Sequence, residues 1–226
     1  QYGYFRLFEQ DDHDIDAFLP SLGNEWQILN MSHKPYPSGR LTHGAIDGLG
    51  QLMQRHGFAA DDIETIEALV PPLVHRLVGR PILENPEANY AKLCLAFVVG
   101  TFLARGNVDV PYFRGQALND PAVQRYGQCV SVVLDSNPDL NALDPQRITV
   151  KLRDGTRHVC DLPYVYGHPK NPLSEAENLA KFRRCAEYAS VPLTIVAQDC
   201  LIAAIDGLET LDNIADLMAL SRGASL

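Results

Sequence analysis

Acidic side chains are missing from one stretch of an otherwise acidic chain. The 226 residues carry a formal charge of −9, yet no Asp or Glu lies between Glu25 and Asp47. Other absences exclude whole classes of protein. The five cysteines (Cys94, Cys129, Cys160, Cys185, Cys200) are odd in number and include no Cys-x-x-Cys pair. That excludes a disulfide framework and fits the reduced thiols of a cytoplasmic protein. His158-x-Cys160 is the nearest approach to a metal pair, and it falls in an expected strand. There is no Gly-x-Ser-x-Gly elbow, no Gly-rich phosphate loop and no His-Glu-x-x-His, so no metal, nucleotide or flavin cofactor is expected. The apolar run at 93–103 is too short to cross a bilayer. The acidic balance argues against nucleic acid and against anionic membrane surfaces, because both require positive fields. Nothing resembles a signal peptide, and the opening Gln1-Tyr2-Gly3-Tyr4 lacks Met, so a piece of something longer is expected. An apolar share of 46% excludes general disorder and suits one large domain or two modest ones.

Into the acid-free gap fall His33, Lys34, Pro35, Tyr36, Pro37, Ser38, Gly39, Arg40, Leu41, Thr42 and His43. The two prolines fix their φ angles and hold the segment extended until a helix can start after Gly39. A rigid cationic elbow at a helix N-terminus is a sensible place to hold a carboxylate.

The elements around it alternate by block. Residues 15–19 read as a short helical end, and 26–29 alternate like a strand. From Leu41, the positions Leu41, Ala45, Leu49, Leu52 and Met53 share a helical face that Gly57 ends. A strand is expected over 66–70, closed by Pro71-Pro72. Asn85-Pro86 predicts an N-cap and first turn for a helix reaching Arg105 and closed by Gly106. A smaller helix follows Asp120-Pro121. Strands are expected at 130–134, 148–152 and 158–162, the last two joined by the Asp154-Gly155 turn. Beyond Gly167 only helices are expected, opened by the Ser174–Glu177 capping box and ending near Ala189, Gly207 and Ser221. Helices, strands and helices in blocks predict an α+β fold with a mixed or antiparallel sheet.

Three groups could carry chemistry. Lys92 is the one charge on a helix expected to be buried all round, and a buried ammonium must find a partner, lose its proton or snorkel to water. His43 points outside the apolar arc of its helix, so it is read as a non-core histidine. Asp47, one turn on, could orient it, and a general base facing a cleft or a plain surface pair both fit. The loop from Tyr164 to Pro172 reads as a domain joint or a catalytic loop.

The chain resembles the C-terminal half of the MmgE/PrpD family, which contains 2-methylcitrate dehydratase, cis-aconitate decarboxylase and an iminodisuccinate epimerase. The resemblance covers nearly all of the sequence through ordered motifs. These are Lys34-Pro35-Tyr36-Pro37 with His43 and Ala45-Ile46-Asp47, Ala91-Lys92-Leu93-Cys94-Leu95, Val110-Pro111-Tyr112-Phe113 and Asp120-Pro121-Ala122-Val123. Leu152-Arg153-Asp154-Gly155, Gly167-His168-Pro169, Asn171-Pro172-Leu173-Ser174 and Lys181-Phe182 follow.

The resemblance implies a metal-free, homodimeric, two-domain enzyme acting on small polycarboxylates. On its pattern, 1–33 is the tail end of an all-helical domain, 34–167 an α+β lid, and 168–226 helices returning to the helical domain. Most of that helical domain, the N-terminal part of the same protein, would lie outside this chain. Lys34 aligns with an active-site lysine of the decarboxylase branch. Gly39 stands where that branch has an active-site histidine, and Phe97 where it has a tyrosine. Both departures remove a proton carrier and count against cis-aconitate decarboxylation and 2-methylcitrate dehydration. The Lys34-Pro35-Tyr36-Pro37 with His43 and Ala91-Lys92 patterns look more like the broad branch that includes the epimerase.

The expected activity is that of a cofactor-free lyase or isomerase, of dehydratase or epimerase type, removing a proton next to a carboxylate. Such a site needs a positioned base, and cations to stabilise the developing enolate. Lys34 is the expected carboxylate clamp or acid, His43 the acid/base, Lys92 the charge stabiliser and Arg40 a second clamp. The isolated piece is expected to be inactive. A non-catalytic α+β binding or assembly module is the alternative, in which the elbow would contact a partner protein.

Overall fold

The computed structural model describes residues 3–222, except Glu9 and Asp11, as two compact units, 1–32 and 33–226. The first holds two short helices, α1 (Tyr4–Phe8) and α2 (Ile15–Phe18), followed by 3-10 turns at Leu19–Ser21 and Gln27–Asn30. The strand expected at 26–29 is thus a 3-10 turn. Its alternating side chains have no sheet to cover, and Trp26, Ile28 and Leu29 are all exposed.

The second unit is built around one sheet. A 3-10 turn, Arg40–Thr42, leads into α3 (His43–His56), which ends where Gly57 adopts a left-handed conformation (φ 72°). The chain then crosses β1 (Ile63–Val70), α4 (Pro72–Val78), α5 (Ala88–Lys92), α6 (Leu95–Arg105) and α7 (Pro121–Gly127). After these come β2 (Val130–Leu134), β3 (Gln146–Leu152) and β4 (Arg157–Leu162). The sheet order is β2-β1-β3-β4. β1 pairs parallel with β2, through the long crossover a parallel pair requires, and antiparallel with β3; β4 closes an antiparallel hairpin on β3. The fold is α+β with a mixed sheet, as the block pattern predicts.

Alternation along the strands decides which face is covered. Ile66, Ala68, Val70, Ile148, Val150, Cys160 and Leu162 pack with Ala45, Leu49 and Leu52 of α3 and Leu95, Val99 and Leu103 of α6. Each fully buried Leu of that layer contributes roughly 1.5–3 kcal/mol by leaving water. The opposite face is exposed and mixed: Val133 and Val159 lie on it, with Lys151 Nζ 2.7 Å from Glu64 Oε2 and Arg147 Nε 2.5 Å from Asp161 Oδ1. Among the described residues no helix is long and apolar enough to cross a membrane.

Two expectations about the middle of the chain need correction. The cap is Glu87, not Asn85, whose φ of 51° places it in a left-handed turn instead. The helix expected to run on to Arg105 breaks after Lys92: Leu93 leaves helical geometry, Cys94 is extended, and α6 starts afresh at Leu95. Pro71-Pro72 does end β1, but Pro72 also opens α4, which the run Leu73-Val74-His75 does not signal clearly.

The chain finishes in helices α8 (Glu175–Glu187), α9 (Ile195–Asp206) and α10 (Ile214–Leu220). The capping box forms as expected: Glu177 N–H donates to Ser174 Oγ at 3.3 Å and Ser174 N–H donates to Glu177 Oε2 at 2.8 Å. α10 packs on α9, yet Ile195, Val196, Ile205, Ile214 and Met218 of this pair stay exposed.

Candidate active site

The elbow is pinned at both ends by backbone hydrogen bonds. His33 N–H donates to Gly167 O and Gly39 N–H donates to Lys92 O, each at 2.8 Å. Gly167 has a φ of 90°, and a Cβ there would lie 2.0 Å from His33 O, so only glycine allows this approach. The loop from Tyr164 to Pro172 therefore anchors the elbow. Between the pins, Thr42 Oγ1 donates to Gly39 O at 2.8 Å and shares a 2.9 Å hydrogen bond with Ser38 Oγ.

This geometry sets His43 at the first position of α3 with no exposed surface. The reading of His43 as a non-core histidine is overturned: the elbow folds back over the helix start and covers the side that the helical arc leaves open. The Tyr36 ring meets the imidazole edge-on, 5.3 Å between centroids. Among the described residues neither ring nitrogen has a hydrogen-bond partner of good geometry. Burial first, then the charges of Lys34, Arg40 and Lys181, push its pKa down to about 3, against a weaker pull from the Ser38 backbone. His43 is thus neutral at any physiological pH.

Asp47 does not orient the imidazole. It accepts from Gln51 Nε2 at 3.0 Å, and its other oxygen is buried without a partner of good geometry. Burial raises its pKa, offset by Gln51 and the Tyr166 backbone. Tyr36 is pushed up to about 12, by burial and then by the charges of Asp47 and Glu177, with Arg184 opposing. Burial also raises Tyr166, helped by the hydrogen bond its hydroxyl donates to Glu177. Two neutral phenols, a neutral imidazole and two carboxylates are therefore electrostatically coupled behind the elbow.

Tyr36 also lines a cavity of about 230 Å³, together with Lys34, Asp109, Lys181, Arg184, Cys185 and neighbouring Pro and Val side chains; His43 and Arg40 are not in its lining. Lys34 reaches this cavity, and both it and Arg40 act on His43. Lys92 is not brought there. The break at Leu93 places it at the end of α5, where it is half-buried and its ammonium rests 5.9 Å from the centre of the Phe113 ring. The expected all-round burial of this lysine does not occur. Its main-chain carbonyl, not its charge, meets the elbow. Gly39 is pressed against Leu93, whose Cδ2 would lie 2.7 Å from an added Cβ, and Phe97 is buried in an apolar cluster beside Phe113.

Sequence reasoning missed Lys181 and Arg184 as site residues. The available signal was their spacing: three apart just after a capping box, they share one helical face, whereas Arg183 turns away to Asp199.

The chain belongs to the MmgE/PrpD family: the model of the MmgE/PrpD C-terminal domain matches residues 36–200. Among curated proteins it is similar to the cis-aconitate decarboxylase of Mus musculus, 28% identical over 219 residues covering 92% of this chain and 43% of that protein. It is also similar to the cis-aconitate decarboxylase of Homo sapiens, 27% identical over 218 residues, 92% of this chain and 44% of that protein. The chain thus spans less than half the length of the curated relatives it matches.

Proposed function

We propose that the complete protein is a cofactor-free lyase or isomerase that removes a proton next to a carboxylate of a small polycarboxylate, by dehydratase or epimerase chemistry. The present chain is its C-terminal portion and is inactive alone. The observation that carries this reading is a buried, neutral His43 without a well-formed hydrogen bond, under the influence of three cations, Lys34, Arg40 and Lys181. Lys34 is the carboxylate clamp, Arg40 a second clamp and His43 the acid/base. Lys92, the expected charge stabiliser, lies outside the lining of this cavity, so no role is given to it here.

A substrate carboxylate can make His43 a better base. Buried and beside cations, His43 is too weakly basic to take a carbon proton, since a general base works best with a pKa near the operating pH. Carboxylates placed beside Lys34, Arg40 and Lys181 offset those charges and lift its basicity, while burial, the larger cause of the depression, still holds it down. The same cations then stabilise the negative charge that grows as the proton leaves. Tyr36 stands edge-on against His43 and also lines the cavity, so it joins the imidazole to the space the substrate would occupy. The exposed apolar side chains of α9 and α10 are covered by the helical remainder of the longer protein, which assembles as a homodimer.

A proton-exchange screen of the complete protein against di- and tricarboxylates in deuterated water tests this reading. Exchange with no net product identifies an epimerase, loss of water a dehydratase, and loss of carbon dioxide the reaction named for the two relatives. No exchange or turnover with any of these acids, by a protein that folds, would overturn it.

A further inference from the structure

Three cations without ion pairs converge on a single small cavity. Lys34 comes from the elbow, and Lys181 and Arg184 from neighbouring turns of α8. Among the described residues no salt bridge or side-chain hydrogen bond occupies any of them, whereas Arg183, between Lys181 and Arg184, donates to Asp199 Oδ1 at 2.7 Å. Arg105, Arg125, Arg147 and Lys151 are likewise matched to carboxylates. Single unpaired charges are ordinary on a surface. Three on one cavity of about 230 Å³, in a chain of net charge −9, are not.

The sole acid in the lining, Asp109, is already engaged. Its Oδ1 accepts from Val110 N–H at 2.7 Å, and its Oδ2 takes the Tyr188 hydroxyl at 3.4 Å. The lining keeps a surplus of two positive charges. The volume lies below the roughly 300–1,000 Å³ typical of drug-sized ligand pockets and suits a small acid.

We propose that Lys181 and Arg184 are carboxylate-binding residues that complete, with Lys34, a three-cation cradle selective for acids bearing two or more carboxylates. Arg184 offers a planar, two-pronged contact to one carboxylate, and the two lysines act as point charges on the others. The inference deepens the function proposed above and rests on it for the substrate class. It also accounts for the two influences of α8 on this pair: Lys181 acts on His43 and Arg184 on Tyr36 from the same helical face.

The test uses the complete protein and tricarballylate, a saturated tricarboxylate with no water to eliminate, with butyrate as the monocarboxylate control. Binding is followed by calorimetry, and independently by the rate at which neutral iodoacetamide alkylates Cys185, which is exposed and lines the cavity; Cys129, partly exposed and outside the lining, is the internal reference. Tricarballylate should bind the wild type and slow alkylation of Cys185 but not Cys129, while butyrate should do neither. Lys181→Met and Arg184→Met should each weaken tricarballylate about tenfold or more, the scale of losing one charge-assisted hydrogen bond. Lys181→Arg and Arg184→Lys should recover part of the loss. With a reactive substrate, the Met variants should raise KM more than they lower kcat.

Met variants that fold and bind like the wild type would overturn the inference, as would a wild type that ignores tricarballylate or binds it without protecting Cys185. A protein that exchanges carbon protons while its Met variants bind unchanged loses the cradle and keeps the proposed function. One whose cradle behaves as described but which exchanges no carbon proton loses the function and keeps the cradle.

Discussion

His43 should make the fold sensitive to mild acid in a way that a non-titrating substitute does not. Its pKa is about 3 in the folded protein against an ordinary value of 6.5. As pH falls below 6.5, the unfolded imidazole takes up a proton that the folded one refuses until near pH 3. The stability this histidine contributes is therefore complete above about pH 6.5 and is lost as pH falls toward 3, at up to about 1.4 kcal/mol per pH unit. Between pH 8 and pH 5 the loss is roughly 2 kcal/mol. Asp47, raised by burial, works in the opposite direction, since its folded form gains protons first. It does so equally in a His43→Gln variant, so the difference between the two proteins isolates the histidine. Urea unfolding of both at pH 8, 7, 6 and 5 would measure it. The variant starts lower at pH 8, having lost the packed ring, but its stability should fall by about 2 kcal/mol less over the range. Parallel curves for the two proteins would refute the reasoning.

Other consequences follow from single contacts. Ser174→Ala removes the cap of α8 and should cost about 1 kcal/mol in chemical denaturation, with hydrogen exchange accelerated first at 175–178. Gly44→Ala should destabilise by about 1–3 kcal/mol, because the added Cβ would lie 2.1 Å from Gln146 Oε1 and 2.7 Å from its Cδ; a thermal melt suffices to check it. Gly167→Ala should cost more than Gly44→Ala, since it meets the His33 carbonyl at 2.0 Å in a left-handed conformation, and it should lower the protection of the His33 amide in particular.

The elements with local punctuation were legible in the residues. Gly57 and Gly106 stop their helices in left-handed conformations, Asp120 and Ser174 cap theirs, and the Asp154-Gly155 turn joins β3 to β4. What the sequence could not declare were contacts between distant segments. Helical geometry alone turns His43 away from the core, and only the elbow folding back buries it. Residues 88–105 contain no Pro or Gly before Gly100, so nothing local announces the break at Leu93; the Gly39 amide bonding to the Lys92 carbonyl fills the gap. Lys92 looked chemical because an unbroken helix would have buried it. Lys181 and Arg184 looked like surface charge because the segment they face lies almost 150 residues away in the chain. A site assembled from an elbow and a remote helix is written in the tertiary structure, and the sequence displays only its parts.

Gly39 and Phe97, the two departures that the family resemblance implies, differ in how deeply they are built in. At Gly39 the backbone is extended (φ −60°), so any residue could adopt it, and the obstacle is the end of the Leu93 side chain, itself 39% exposed. Gly39→Ala should cost no more than about 1 kcal/mol, because Leu93 can swing toward water. Phe97 is another matter. It is 1% exposed, in a cluster made of Ile46, Ala91, Cys94, Ala96, Val98, Val108, Phe113 and Val123. Phe97→Tyr would place a hydroxyl among hydrocarbon, which costs roughly 1–3 kcal/mol where no partner is found. The two substitutions therefore rank in the order Phe97→Tyr above Gly39→Ala in destabilisation, as read by urea unfolding of each single variant. If Phe97→Tyr were neutral, a buried partner for the hydroxyl would have to exist beside Phe97, and the loss of a proton carrier there would be a change of side chain alone and not of the cluster that surrounds it.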